Sequence, residues 1–312
     1  MADDESRSMF AAVDARARLA GSNKMELLVF SLGTRETFGI NVFKVREIMP
    51  APPITWSPNL PAGLDGVVNL RGNIVPVINL ARFAGGDAGA SAREYLIVTE
   101  FSRRAQGFLV HDVSHIARVD WNRVKTPNPA LTAAGAPVTA LTELEPGRLV
   151  SILDVEQIIS TVFGEPAVPE IAPVTQARLV FFADDSLVAR KEIGHVLDRM
   201  QVPYQYATNG LEAWNTLQAL AARADLEGAS LAQRLGLVLT DAEMPEMDGY
   251  VLAKQIKSDH RFDGVPVVMH SSLSSAANHA MGRSVGVDAY VAKFEPMVLA
   301  DTLRPLLAPR AA

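Results

Sequence analysis

Four short apolar runs in the C-terminal part of the chain are each followed directly by a polar side chain. The polar residues are Asp184 with Asp185, Asp241, Ser271 and Lys293. Helical stretches separate the runs, and apolar runs separated by helices are typical of buried parallel strands. Residues 177–312 are therefore predicted to form an α/β doubly wound sheet. The polar residues would all lie at its carboxyl edge, where ligand sites form.

Three of these residues are acidic, and their carboxylates would repel one another unless a divalent cation lay between them. Ligand sets made only of oxygen suit Mg2+. Asp184 and Asp185 have a second interpretation as helix N-caps, which Asp provides without any metal. The adjacent pair together with Asp241 favours metal binding. The pattern predicts a Mg2+ site that places a phosphoryl group on an aspartate.

The rest of the chain has a different pattern. Residues 25–163 contain short strand-like runs interrupted by Gly, Pro and Asn, which predicts an all-β domain. Residues 164–176 carry three prolines and predict a semi-rigid linker. The leader, residues 1–24, has two open interpretations, a short amphipathic helix or a frayed end. A chain of 312 residues is long enough for two such domains.

Composition indicates which binding partners and which cellular compartment the chain favours. The net charge of -6 does not favour binding to nucleic acid or to anionic lipid. The absence of cysteine fits a reducing compartment. The first residues are acidic rather than signal-like, and the sequence has no apolar stretch of the roughly 18 residues that a membrane span needs. We expect a cytoplasmic protein without direct membrane insertion.

The string TDAEMPEMDG, which contains Asp241, resembles the phosphoacceptor loop of CheY-like receiver domains, and the resemblance covers about residues 178–307. It implies that Asp241 accepts the phosphoryl group. It also implies that Mg2+ is held by Asp184, Asp185, Asp241 and the backbone carbonyl of Glu243. The Glu243 carboxylate would lie near the phosphoryl site and alter hydrolysis of the aspartyl phosphate.

Three further roles follow from the same resemblance. Lys293 would bind a phosphoryl oxygen, and Ser271 would donate a hydrogen bond once the phosphoryl group is present. Tyr290 would be the switch aromatic that turns inward as Ser271 moves. One departure from the family pattern is that Phe294, not proline, follows Lys293. Either that peptide is trans and the lysine points elsewhere, or a strained cis peptide is kept.

The segment GVVNLRGNIVPVINL, residues 66–80, indicates from its residues alone two strands joined by a turn, with Arg71 exposed. It resembles the signature of CheW-like coupling domains, and the likeness covers about residues 25–163. The resemblance implies two SH3-like five-stranded barrels that bind proteins and catalyse nothing. It assigns binding of chemoreceptor tips and the histidine kinase CheA to Arg71, Val45, Glu47 and Gly66. For Val45, core packing and surface contact both remain open.

The whole chain resembles CheV-type chemotaxis proteins, which join a CheW-like domain to a receiver. The resemblance implies a signalling adaptor, not an enzyme, that couples chemoreceptors to CheA and is modulated by phosphorylation of Asp241. The receiver itself would release the phosphoryl group by autodephosphorylation. Two alternatives stay open: a phosphate sink that drains CheA, and a constitutive scaffold with an inert receiver. We expect recruitment to membrane-bound chemoreceptor arrays.

Overall fold

The computed structural model describes residues 24–84, 94–101, 104–128, 136–144, 147–164, 169–175, 178–272, 276–293 and 295–308. The chain divides into two compact units between Glu165 and Pro166. The predicted leader helix and Phe294 lie outside the described residues. The predicted domain boundaries remain predictions. Across the described ranges, no helix combines the length and the apolar character needed to cross a membrane.

The N-terminal unit contains two five-stranded sheets. The first has the order β8-β1-β2-β10-β9 and the second the order β3-β6-β7-β5-β4. Each sheet is antiparallel except for one parallel pair, β2 with β10 and β5 with β7. The strands are β1 (Lys24–Ser31), β2 (Thr37–Asn41), β3 (Val45–Pro50), β4 (Leu64–Leu70), β5 (Asn73–Asn79), β6 (Tyr95–Phe101), β7 (Arg104–Val110), β8 (Asp112–Asp120), β9 (Val138–Leu144) and β10 (Arg148–Leu153).

Side-chain alternation along these strands produces separate apolar cores. In β1, Leu27 and Val29 belong to an apolar cluster formed by the first sheet and the residues next to it. Leu28 and Phe30, on the opposite face, belong to a cluster that also contains residues of the second sheet. The second sheet closes around its own cluster, which includes Val75 and Val98. Period-two alternation with apolar residues on both faces is expected for strands that are buried on both sides. The predicted pair of five-stranded β modules is confirmed.

A helix near its end interrupts the predicted all-β segment. Helix α1 spans Val155–Phe163, and the side chain of its N-cap, Asp154, accepts a hydrogen bond from the backbone N–H of Gln157 at 2.9 Å. Ile158 and Val162 are among its buried residues, so one face of the helix packs on the core. A buried aliphatic side chain contributes about 1.5–3 kcal/mol. The strand prediction missed this helix because a short apolar run fits either element.

The C-terminal unit has one five-stranded parallel sheet with the order β12-β11-β13-β14-β15. The strands are β11 (Leu179–Ala183), β12 (Tyr204–Ala207), β13 (Leu235–Thr240), β14 (Val267–Ser271) and β15 (Ala289–Ala292). The helices are α2 (Leu187–Arg199), α3 (Gly210–Leu226), α4 (Gly249–Ser258), α5 (Ala276–Ser284) and α6 (Pro296–Leu307). Adjacent residues of β11 face opposite layers: Phe181 lies in the core beneath α3 and α4, and Phe182 in the core beneath α2 and α6. This is the predicted doubly wound α/β sheet.

Candidate functional site

The three predicted acidic residues meet at the carboxyl edge of this sheet. Asp184 and Asp185 follow β11, and Asp241 follows β13. Each offers a carboxylate oxygen, and these oxygens all lie within 4.8 Å of one another. Asp184 and Asp241 are buried, whereas Asp185 is partly exposed. A half-open cluster of oxygen ligands fits Mg2+, which keeps several waters when bound to proteins.

Local hydrogen bonds hold Asp184 in place and show that neither acid is the N-cap of α2. The N-cap of α2 is Ser186, whose side chain accepts from the backbone N–H of Ala189. Asp184 Oδ1 accepts a hydrogen bond from the backbone N–H of Ser186 at 2.9 Å. The acids therefore precede the cap, and capping of α2 does not account for them.

Asp241 is positioned by its own loop. Its Oδ1 accepts a hydrogen bond from the backbone N–H of Ala242 at 2.7 Å, and the hydroxyl of Thr240 donates to its carbonyl oxygen at 2.9 Å. Gly249, at the start of α4, packs against the same carbonyl: a Cβ there would lie 1.8 Å from Asp241 O. Asp248 caps α4 by accepting from the backbone N–H of Val251 at 2.8 Å. The DG pair thus lets the helix and the acidic loop approach closely.

Lys293 lies at the centre of the cluster. Its Nζ is 2.8 Å from Asp184 Oδ2 and 2.9 Å from Asp241 Oδ2, and its side chain is fully buried. Its backbone N–H donates to the carbonyl of Ser271 at 3.1 Å, which fixes the end of β15 against β14. The lysine therefore reaches the acids although no proline follows it. One ammonium among three carboxylates leaves the cluster net negative, which favours a further cation.

Ser271 and Tyr290 are neighbours on β14 and β15. Ser271 is the buried last residue of β14, and Tyr290 is partly buried. Burial raises the pKa of Tyr290 to about 12, and the Ser271 side chain acts against this shift by hydrogen bonding. The ring of Tyr290 also packs on His279, with the ring centroids 4.2 Å apart. The tyrosine hydroxyl is thus already directed towards Ser271.

Sequence reasoning missed Tyr250 on α4. This side chain is 5% exposed, and burial, then the neighbouring Tyr290, raises its pKa. Glu243 is 8% exposed, and its negative charge also contributes to the raised pKa of both tyrosines. The Glu243 carboxylate therefore lies among the switch residues. The position of Tyr250 in the first turn of α4, directly after the DG pair, was the available signal.

The predicted partner-binding residues of the β unit divide into two groups. Arg71 Nη2 lies 2.8 Å from Glu47 Oε2; the arginine side chain is 78% exposed and the glutamate 12%. Val45 is only 3% exposed and belongs to the core, so packing, not surface contact, describes this side chain. Gly66 has φ +151°, and a Cβ there would lie 2.5 Å from the carbonyl oxygen of Thr55. Arg71 is thus the residue that the fold presents to solvent, and the mostly buried Glu47 holds its guanidinium.

Comparison with known proteins gives the same two parts in the same order. Residues 26–163 match the CheW-like domain family, and residues 180–304 match the response regulator receiver domain family. The chain is 30% identical over 280 residues to the chemotaxis protein CheV3 of Helicobacter pylori, which covers 86% of this chain and 88% of that protein. It is 27% identical over 321 residues to CheV2 of the same organism, covering 95% and 98%. Its identity to the chemotaxis protein CheW of Klebsiella aerogenes is 34% over 148 residues, covering 46% and 88%.

These matches agree with the two folds and with the acidic edge of the parallel sheet. CheW-like proteins couple chemoreceptors to CheA in general, and receiver domains generally bind Mg2+ through an acidic cluster. The predicted combination of a coupling module and a receiver is therefore confirmed, and the chain is a signalling adaptor. The chain belongs to the CheV family of chemotaxis coupling proteins.

Proposed function

We propose that this protein couples chemoreceptor tips to the kinase CheA at receptor arrays on the cytoplasmic side of the membrane, and that phosphorylation of Asp241 modulates this coupling. The observation that carries the receiver half of the proposal is the buried bridge in which Lys293 Nζ contacts both Asp184 and Asp241. A lysine between two acids is arranged to exchange one partner for a phosphoryl oxygen. The 177–312 domain would be the input and the 25–163 domain the output.

Phosphoryl transfer to Asp241 follows from the geometry of its loop. A carboxylate oxygen of Asp241 attacks the phosphorus of a phosphohistidine in line, the phosphorus–nitrogen bond breaks, and the imidazole nitrogen keeps the electron pair. Asp241 Oδ1 is occupied by the backbone N–H of Ala242 and Oδ2 by Lys293, so the carboxylate is held in one orientation. Mg2+, held by Asp184, Asp185, Asp241 and the Glu243 carbonyl, would supply positive charge against the phosphoryl oxygens.

The switch would begin with charge exchange at Lys293. Once Asp241 carries the phosphoryl group, the ammonium of Lys293 contacts a phosphoryl oxygen, and the hydroxyl of Ser271 donates a hydrogen bond to another. Ser271 then gives up its contact with Tyr290, whose hydroxyl lies in a buried environment next to Tyr250. A buried hydroxyl that loses its partner must find another or move. Repacking of these two tyrosines would carry the local change to α4 and β15.

The coupling surface would be built around the exposed guanidinium of Arg71. A guanidinium held by one carboxylate keeps further donors free for a carboxylate on a partner. Glu47 orients it at 2.8 Å, and the surrounding hairpin is fixed by the close packing of Gly66 against Thr55. In this proposal Gly66 acts by positioning the hairpin, and Val45 acts through the core beneath it.

The proposal is tested by transfer of radiolabel from phosphorylated CheA. We expect label on the wild-type chain in the presence of Mg2+, but not after chelation and not on Asp241→Asn. Lys293→Met should take up label more slowly, since the substitution removes the ammonium that would contact a phosphoryl oxygen, and circular dichroism should confirm that the variant is folded. No label on the wild type would favour the constitutive scaffold and overturn the receiver half of the proposal.

The phosphate sink is distinguished in the same reaction by adding receptor arrays. If label passes through Asp241 and is lost by autodephosphorylation while kinase output per unit of phosphorylated CheA is unchanged, the chain is a sink. If output changes with the labelled fraction, the chain is a switch. Arg71→Ala separates the two halves of the proposal, because it should weaken array binding and leave label transfer unaltered.

A further inference from the structure

The second half of the predicted linker packs against the C-terminal unit. Within residues 169–175, Ile171 is 7% exposed and lies in the apolar core beneath α2 and α6, and Val174 packs against the same cluster. Ala172 and Pro173 between them are exposed. The two anchored side chains, three residues apart, therefore flank two residues that face solvent. We call residues 171–174 the strap.

Hydrogen bonds fix the strap at both sides of this groove. The backbone N–H of Val174 donates to the carbonyl of Met200, the residue that ends α2, at 2.8 Å. Arg304 in the last turn of α6 donates from Nη2 to the carbonyl of Ala172 at 2.8 Å and from Nη1 to the carbonyl of Pro173 at 3.2 Å. One fork-shaped side chain thus satisfies two successive carbonyls. Arg304 acts as a latch.

Docking of the strap shortens the length of chain that joins the N-terminal unit to the docked part of the C-terminal unit. From the end of α1 at Phe163 to the start of β11 at Leu179, the connection is residues 164–178, which is 178 − 163 = 15 residues. With the strap docked, only residues 164–170 remain, which is 170 − 163 = 7 residues. At about 3.5 Å per extended residue, the maximum span falls from roughly 50 Å to roughly 25 Å. Docking therefore halves the reach of the tether.

We propose that the strap is a releasable clasp, with Arg304 as its latch, through which the C-terminal unit sets the tether length between the two units. Among the described residues, its anchors are the buried side chain of Ile171, the partly buried side chain of Val174 and three hydrogen bonds, two of them donated by Arg304. Contacts this few can open without unfolding the sheet. The latch belongs to α6, which begins directly after the loop that follows Lys293. Tether length then depends on the state of this helix and not only on linker composition.

Hydrogen exchange at the Val174 amide tests the clasp in the full-length protein. We expect this amide to be protected in the wild type and to exchange about tenfold faster in Arg304→Gln and in Ile171→Ser. Amides of β13 should keep their wild-type rates, which separates release of the strap from global unfolding. Arg283→Gln, the same substitution in the last turn of α5, is the matched control and should leave Val174 protected. Fast exchange of Val174 in the wild type, or no effect of either variant, would overturn the proposal.

Tether length is measured independently with spin labels. The chain has no cysteine, so Leu149→Cys and Leu226→Cys, at positions 67% and 90% exposed, allow one label on each unit. Adding Arg304→Gln should broaden the distance distribution towards longer values, whereas adding Arg283→Gln should not. Identical distributions with and without the latch would overturn the proposal, even if Asp241 accepts phosphate as proposed. Failure of phosphoryl transfer, in turn, would leave these two measurements unaffected.

Discussion

Replacing Arg71 with asparagine should separate partner binding from stability. Arg71 and Gly72 form the two-residue loop between β4 and β5, with φ values of 53° and 88°. Loops with positive φ at both positions favour Asn-Gly, because the Cβ of most residues in the left-handed region costs about 1–2 kcal/mol, whereas Asn and Gly adopt that region readily. Asn69 reinforces the turn by accepting from the backbone N–H of Gly72 at 2.8 Å. This chain has an arginine where the turn would prefer asparagine.

The expected change in the free energy of unfolding is small and can be worked out from two contributions. Relief at the turn should contribute about 1 kcal/mol of stability, the lower end of the left-handed penalty. Loss of the ion pair with Glu47 should remove about 0.2–1 kcal/mol, because the Arg71 side chain is 78% exposed and the pair is screened by water. Arg71→Asn is therefore expected to leave the β unit equally stable or up to about 1 kcal/mol more stable.

Array binding should respond in the opposite direction. Removing the guanidinium should weaken binding of the full-length chain to CheA–receptor arrays by about tenfold or more, as for an arginine at the centre of an interface. Stability is measured by urea unfolding followed by tryptophan fluorescence in a Trp56→Phe, Trp214→Phe background, which leaves Trp121, buried in the β unit, as the reporter. Glu47→Gln is the control that breaks the pair without changing the turn. A loss of more than about 1 kcal/mol in Arg71→Asn, or unchanged array binding, would refute the reasoning.

Three further substitutions test particular packing arguments. Gly249→Ala places a Cβ 1.8 Å from the carbonyl oxygen of Asp241, so phosphoryl transfer should slow by about tenfold or more, whereas Gly194→Ala on α2, where a Cβ would meet the side chain of Tyr204 at 3.1 Å, should not affect transfer. Val45→Ala should lower the free energy of unfolding of the β unit by about 1.5–3 kcal/mol because Val45 is a core residue, and any loss of array binding should follow the unfolded fraction. Burial raises the pKa of Asp248, so its charged form costs stability at neutral pH; Asp248→Asn keeps the cap and should be at least as stable at pH 7. That advantage should disappear as the pH falls through the raised pKa, which urea unfolding from pH 4 to pH 8 would show, and a constant difference would contradict it.

The sequence predicted the parallel sheet and the edge at which the site lies. A polar residue directly after a buried parallel strand must lie at the carboxyl edge of the sheet. The sequence also predicted which acids meet, since Asp184 and Asp241 follow adjacent strands. It could not place Lys293, because a missing proline leaves the direction of the lysine open. The structure brings the ammonium within 2.8 Å of Asp184 Oδ2. The register between the strands and the conformation of the lysine side chain decide this contact, and a local sequence motif predicts neither.

Other features depended on contacts between distant segments. The Arg71–Glu47 pair joins residues 24 positions apart, and the sequence around either residue does not predict the contact. Helix α1 was hidden in an apolar run whose length suits a strand or a helix. The strap was not recognised within the linker, whose prolines predict an extended segment but not that Ile171 would be buried by α2 and α6. In each case, the local sequence allowed two outcomes, and packing selected one.

The central claim is that phosphorylation of Asp241 changes coupling, and a binding titration with beryllofluoride tests it most directly. Beryllofluoride with Mg2+ mimics the aspartyl phosphate, so the full-length chain is titrated against CheA–receptor arrays with and without it. We expect the apparent affinity of the wild type to shift by about three- to tenfold, a graded change well below the roughly 10,000-fold differential affinity of a full population switch. Asp241→Asn should show no shift. Superimposable curves for the wild type, under conditions in which beryllofluoride is bound, would contradict the account.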